Sequence, residues 1–212
     1  MKLRWDCFIG LFFILSSLFL FSCQGEKGRG ALLHQADELM QDHPDSALTI
    51  LQSIPNPETL HGLDRADYAL FLTRAKYKMG IYIPNDSLIK IAVDYYNKGW
   101  IDESKMQAYF YRGCVYKDMR SMDMAVQDFL KALKVIPKKS ENLYLGAIYE
   151  NLASCYVDQN LFEDAKRTYK KAEAIYSQQD KKNGKAYALR GIGYVNMLQN
   201  RLDSALYYYQ KA

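Results

Sequence analysis

The sequence predicts an all-α solenoid, a stack of antiparallel helix pairs, on three observations. Residues 106–139 alternate large side chains (Tyr109, Tyr116, Phe129) with small ones (Gly113, Ala125, Ala132), and Pro137 closes the unit. Two helices cross closely only where facing positions are small, with large residues filling the space on either side. The pattern also recurs: Gly113, Ala153 and Gly193 correspond, as do Ala125, Ala165 and Ala205, and then Ala132, Ala172 and Ala212. In every copy the small residue of the first helix precedes the first Ala of the second by 12 positions, which separates a repeat from chance alanines. A hairpin this short cannot bury its own apolar faces and needs neighbours stacked on both sides.

The first 22 residues have the build of an export signal. Lys2 and Arg4 give a basic start, and the apolar run from Phe8 to Phe21 is interrupted only by Gly10, Ser16 and Ser17. A bilayer span needs about 20 apolar residues, more than this run offers. Leu20-Phe21-Ser22-Cys23 resembles the bacterial lipobox, in which the Cys is acylated and becomes the mature N-terminus. The resemblance implies a lipid anchor on Cys23, and Gln24 in place of Asp points to the outer membrane. Residues 23–30, with three glycines from Gly25 on, read as a flexible tether.

Residues 31–99 read as degenerate helical hairpins. Ala31–Met40 pairs with Ser46–Ile54, and Pro44 marks the second start. Leu63–Met79 is a longer helix. Gly80–Pro84 is a loop, and Asn85 or Asp86 caps the helix that carries Leu88, Ile91, Ala92 and Tyr95. Three clear copies follow over about 106–139, 146–179 and 186–212, the last incomplete. At the hairpin turns stand Arg120, Asn160 and Asn200. Asn accepts a left-handed backbone at little cost, whereas Arg does not, so the first turn is expected to differ.

These residues resemble tetratricopeptide repeats: Tyr109, Gly113, Tyr116, Ala125, Phe129, Ala132 and Pro137 in the first copy, and Tyr149, Leu152, Ala153, Tyr156, Ala165, Tyr169 and Ala172 in the second. Ile192, Gly193, Ala205, Tyr209 and Ala212 carry it in the third. The copies recur every 40 residues rather than the family's 34, and the extra residues fall between units, so longer helices or links are expected. The resemblance implies a right-handed superhelix of about five hairpins. A lipobox, a Pro-Asp-Ser-Ala-Leu segment at Pro44–Leu48 and such repeats together look like exported lipoproteins of the Bacteroidetes type. The sequence stops inside a second helix, as expected of a truncated chain or of an end covered by a partner.

Hydrophobic residues make up 49% of the chain, which argues for a folded core, and a net charge of +4 does not call for nucleic acid. Lysines at 131, 134, 138, 139, 166, 170 and 171, interspersed with acids, read as a solvated outer face. His34, His43 and His61 lack metal-ligand spacing, and Gly191-Ile192-Gly193 falls inside a helix rather than after a strand. No catalytic residue, metal site or cofactor is expected. Cys114 and Cys155 read as buried packing residues rather than a disulfide, since packed helix axes stand about 8–10 Å apart.

In the resembled family the functional surface is the concave face, built from first-helix residues not used in stacking. By position these are Gln107, Phe110, Cys114, Lys117 and Asp118, then Glu150, Asn151, Ser154 and Asp158, then Tyr187, Arg190, Tyr194 and Met197. Their aromatic, amide and charged groups suit a peptide or protein. The expected function is a non-catalytic protein-interaction scaffold at the cell envelope. The alternative is the ligand-binding part of an envelope signalling system.

Overall fold

The computed structural model describes residues 28–99 and 103–212. The export signal, Cys23 and the first part of the tether lie outside the described residues. Helix α1 occupies 28–39, so the last three tether residues are helical instead of flexible. It is followed by α2 (Pro44–Ser53), α3 (Gly62–Lys78), α4 (Ser87–Tyr96), α5 (Glu103–Asp118), α6 (Met122–Val135), α7 (Lys138–Asp158), α8 (Phe162–Gln178), α9 (Lys182–Leu198) and α10 (Leu202–Lys211). A single 3-10 turn, Pro57–Thr59, lies between α2 and α3. Among the described residues there is no strand, and no helix is long and apolar enough to cross a membrane.

Among the described residues, consecutive helices pair into five hairpins, and the first helices α3, α5, α7 and α9 lie side by side along one face. The residues that lengthen each period went into the helices. Helix α7 runs 21 residues, starting directly after Pro137, and α8 and α9 run 17 each, against 16 and 14 for α5 and α6.

All three hairpin turns of the clear copies use one device. Arg120, Asn160 and Asn200 have φ of 62°, 59° and 58°. Each donates its N–H three residues back, and the next residue donates five back: Ser121 to Tyr116 at 2.8 Å, Leu161 to Tyr156 at 2.8 Å, Arg201 to Asn196 at 2.9 Å. This is the Schellman arrangement, which satisfies the last carbonyls of the helix. The expectation that Arg120 would build a different turn is therefore wrong: the hydrogen bonds hold it left-handed despite its Cβ. Before α4, the Asn85 side chain accepts from the Ser87 N–H at 3.1 Å, and Asp86 makes no cap bond.

Packing follows the small-against-large pattern. The ring of Phe129 lies against Gly113, where a Cβ would stand 2.7 Å from it, and Tyr209 meets Gly193 in the same register at 2.9 Å. In the middle copy Ala153 takes the glycine's place, and Tyr169 instead presses on Gly191 of the next repeat, where a Cβ would meet the ring at 2.5 Å. Tyr176 is sandwiched between Gly146 and Gly184. Tyr109, Tyr116, Ala125, Ala132, Ala165, Ala172 and Ala205 are buried, and Tyr149 and Tyr156 are partly buried. Ala212 is exposed beyond the last helical residue, and Tyr209 is half exposed. Neighbouring repeats are tied twice by one contact: Gln159 donates to Asp123 at 2.7 Å and Gln199 to Glu163 at 3.1 Å. Inside the first clear hairpin, Arg112 grips buried Asp128 with two bonds of 2.6 and 3.0 Å.

Candidate functional site

The concave face is not open along its whole length. On α5 the side chains of Gln107, Phe110 and Cys114 are buried, which corrects their placement as groove residues. Phe110 meets Tyr77, Phe129 and Tyr144 at ring-centroid distances of 6.5, 6.0 and 5.7 Å. These rings come from α3, α6 and α7, so an aromatic plug fills the first part of the concavity. Gln107 is drawn into a polar contact with buried Arg74, whose Nη1 also reaches Asp37 at 2.9 Å. Cys114 and Cys155 are both free and buried. Burial pushes their thiols up, to about 12 and about 11, so both stay protonated.

Beyond the plug a pocket of about 290 Å³ opens between α7 and α9, with one wall from α5. Lys117, Glu150, Asn151, Ser154, Tyr187, Arg190 and Tyr194 line it, as do Tyr169 and Gly191. Seven of the thirteen expected groove residues thus come together. Asp118 and Asp158 line an adjoining depression with Tyr82 and Arg120; it shares Lys117 and Ser154 with the first. Met197 is exposed on α9 outside both.

The pocket is held by polar contacts of defined direction. Asn151 donates its amide to the Ala147 carbonyl at 2.9 Å, a bond to the preceding helical turn. That orients Oδ1 to accept from Lys117 Nζ at 2.6 Å. Tyr176 donates to Glu150 Oε2 at 3.0 Å, and burial raises the Glu150 carboxyl above its ordinary range. The Arg190 guanidinium stacks on the Tyr187 ring at 4.4 Å. Burial and the Glu150 charge push the Tyr169 phenol up to about 12, so it remains a neutral hydrogen-bonding group. Tyr187 and Tyr194 are 57% and 45% exposed, which places two aromatic rings at the rim, that of Tyr187 with Arg190 on one face.

The repeat pattern marks Tyr169 as a packing residue and gives Gly191 no role. The absent side chain of Gly191 admits the Tyr169 ring, which turns a second-helix residue into part of the pocket floor. A glycine inside an otherwise regular helix was the available signal.

Among the described residues, no group of three or more His, Cys, Asp or Glu could hold a metal ion. The geometry offers hydrogen-bond donors, cations and aromatic faces in an open trough.

Family models for the tetratricopeptide repeat match residues 107–139 and 144–212. These two segments carry tetratricopeptide repeats. The all-α superhelical solenoid expected from sequence is likewise found in solved repeat structures. MamA AMB-1 is 16% identical, with 86% of this chain and 93% of that one covered at a TM-score of 0.57. A kinesin light chain of Podospora anserina with nearly identical TPR-like repeats is 15% identical, covering 85% and 91% at 0.62. MamA from Desulfovibrio magneticus RS-1 is 12% identical, covering 86% and 92% at 0.59. At these identities the likeness concerns the fold. No curated protein matches the sequence. Tetratricopeptide-repeat proteins generally bind protein partners and are typically non-catalytic scaffolds.

Proposed function

We propose that the chain is a protein-interaction module that binds a peptide or protein segment in the trough between α7 and α9, held at the cell envelope by a lipid on Cys23. The observation that carries the binding site is local: the concave face is plugged by rings along α5 but open at the Lys117–Tyr194 pocket, where two exposed tyrosines flank it. Exposed tyrosines supply a large contact area at low entropic cost, the property expected of an interface anchor. The anchor and the envelope location rest on the lipobox-like Leu20–Cys23 and the apolar run before it.

Two measurements test the reading separately. Affinity purification of the full chain from its host should recover a partner that is lost in the Tyr187→Ala/Tyr194→Ala variant but retained in a variant of the outer face such as Lys170→Ala. Equal recovery with both variants sinks the trough as the site. Labelling with a palmitate analogue should be lost in Cys23→Ser, and labelling that persists in this variant overturns the anchor.

A further inference from the structure

We infer that the edge of the solenoid carrying the links between hairpins is a membrane-docking surface, whose lysines meet the headgroups of anionic phospholipid. The inference rests on the Cys23 anchor of the proposed function and adds which side of the molecule faces the bilayer.

The first helices run parallel, which gives the fold two distinct edges. Contacts between them advance together along the chain: Arg74–Gln107 and then Tyr77–Phe110, Phe110–Tyr144 and then Lys117–Asn151. The hairpin turns at Arg120, Asn160 and Asn200 therefore share one edge, and the links between hairpins share the other. Charge is divided between the two. The turn edge (117–127, 157–167 and 197–207) holds five cations against six acids. Its arginines and Lys166 pair with Asp158, Asp164 or Glu163, and Lys117 is held by Asn151. The link edge (131–143 and 170–186) holds nine lysines against Glu141, Glu173 and Asp180. Lys134, Lys138 and Lys182 are exposed there and form no ion pair among the described residues. Helix stability does not account for them all. Lys138 and Lys182 open α7 and α9, where the positive end of the helix dipole disfavours a cation.

The anchor leaves from the same edge. Helix α1 runs parallel to α3, since Asp37 meets Arg74 and Gln41 meets Lys78. Arg29, in the first turn of α1, donates to Thr59 of the link before α3 at 2.8 Å, which puts the start of α1 at the link edge. Cys23 precedes residue 28 by five residues, a reach of at most about 18 Å. A lipid on Cys23 thus enters the bilayer beside the first link, and the lysines lie at the last two links of the same edge. The links between are not basic: 55–65 and 97–105 carry Glu58, Asp64, Asp102 and Glu103 against Arg65, Lys98 and Lys105. Contact is therefore made at two points, the lipid at one end of the edge and the lysines at the other. The lipid alone leaves the solenoid free to pivot, and the lysines fix the side that faces the headgroups. Each lysine at an anionic surface adds about fivefold to the docked population. A soluble polyanion would meet the same lysines, but their place on the anchor's edge favours the bilayer.

The test places the full chain, as made in its host, on vesicles whose headgroups carry a nitroxide quencher. A fluorophore is attached at Asn183→Cys on the link edge or at Ser204→Cys on the turn edge, both exposed positions. On vesicles of phosphatidylglycerol and phosphatidylcholine the probe at 183 should be quenched and the probe at 204 spared. Lys134→Gln/Lys138→Gln/Lys182→Gln should reduce the docked population about a hundredfold and bring quenching at 183 down to the level at 204. Salt at about 1 M, where charges act over only about 3 Å, should do the same to the natural chain. Equal quenching at both positions, or quenching at 183 that survives the triple substitution or is as strong on pure phosphatidylcholine, overturns the inference. A probe at 183 that ignores the vesicles but responds to added double-stranded DNA assigns the lysines to a soluble polyanion and also overturns it. Flotation reads the anchor separately. A chain that floats with phosphatidylglycerol but not with phosphatidylcholine defeats the anchor, and loss of that flotation in the triple variant still supports the edge; floating with neither defeats both.

Discussion

Gly113 and Gly193 occupy the same repeat position, yet alanine should act on them in opposite directions. At either site a methyl group would stand under 3 Å from a ring, 2.7 Å from Phe129 Cε1 at the first and 2.9 Å from Tyr209 Cε1 at the second. The rings differ in freedom: Phe129 is fully buried, whereas Tyr209 is 40% exposed. Alanine gains about 1 kcal/mol over glycine in a helix interior. At Gly193 the exposed ring can swing aside, so most of that gain survives and the variant should be neutral or up to about 1 kcal/mol more stable. At Gly113 the ring has nowhere to go, and overpacking a filled core costs about 1–3 kcal/mol. Gly113→Ala should therefore be less stable by about 1 kcal/mol or more, lowering Tm by about 2–4 °C for each kcal/mol in a chain of this size. Thermal and urea unfolding followed by far-ultraviolet circular dichroism reads both. Stabilisation of the chain by Gly113→Ala would refute the packing argument, because it would mean that the Phe129 ring does not fill that space.

Other consequences follow from the same contacts. Arg120→Asn should stabilise the chain by about 0.5–1 kcal/mol in urea unfolding, since a left-handed backbone costs an ordinary residue about 1–2 kcal/mol and asparagine less. Asp128→Ala leaves Arg112 without its buried partner and should cost about 3 kcal/mol or more, whereas Asp164→Ala, at an exposed pair, should cost under about 1 kcal/mol. Burial raises the thiols of Cys114 and Cys155 above 9.0 and the phenols of Tyr169 and Tyr176 above 10.0. The unfolded chain ionises these groups first. Their contribution is thus complete below pH 9 and is lost as pH rises through the folded values, so the urea midpoint should fall steadily above pH 9. In native protein at pH 8 both described thiols should resist a thiol reagent and react fully once unfolded; rapid native reaction contradicts their burial.

The repeat architecture was legible because stacking imposes a periodic demand: small residues must recur where helices cross, and Gly113, Ala125 and Ala132 with their counterparts other than Ala212 meet it. The turns were half legible. Asn160 and Asn200 announce a left-handed residue by type, but Arg120 occupies the same conformation because hydrogen bonds from Arg120 and Ser121 impose it. The concave face was the least legible. Position within a repeat puts Phe110 and Glu150 in the same class, yet one is plugged by Tyr77 and Tyr144 and the other opens into a pocket. That difference depends on rings contributed from 33 residues before and 34 after Phe110, which no local pattern records. Cys114 is buried for the same reason.

The central claim, that the trough between α7 and α9 is where a partner binds, is tested most directly by photo-crosslinking in living cells. A photoreactive phenylalanine analogue at Tyr194 should give a discrete adduct with one partner. The same analogue at exposed Lys170 on α8 should give none. Adducts at Lys170 with no adduct at Tyr194 would place recognition on the outer face and contradict the account.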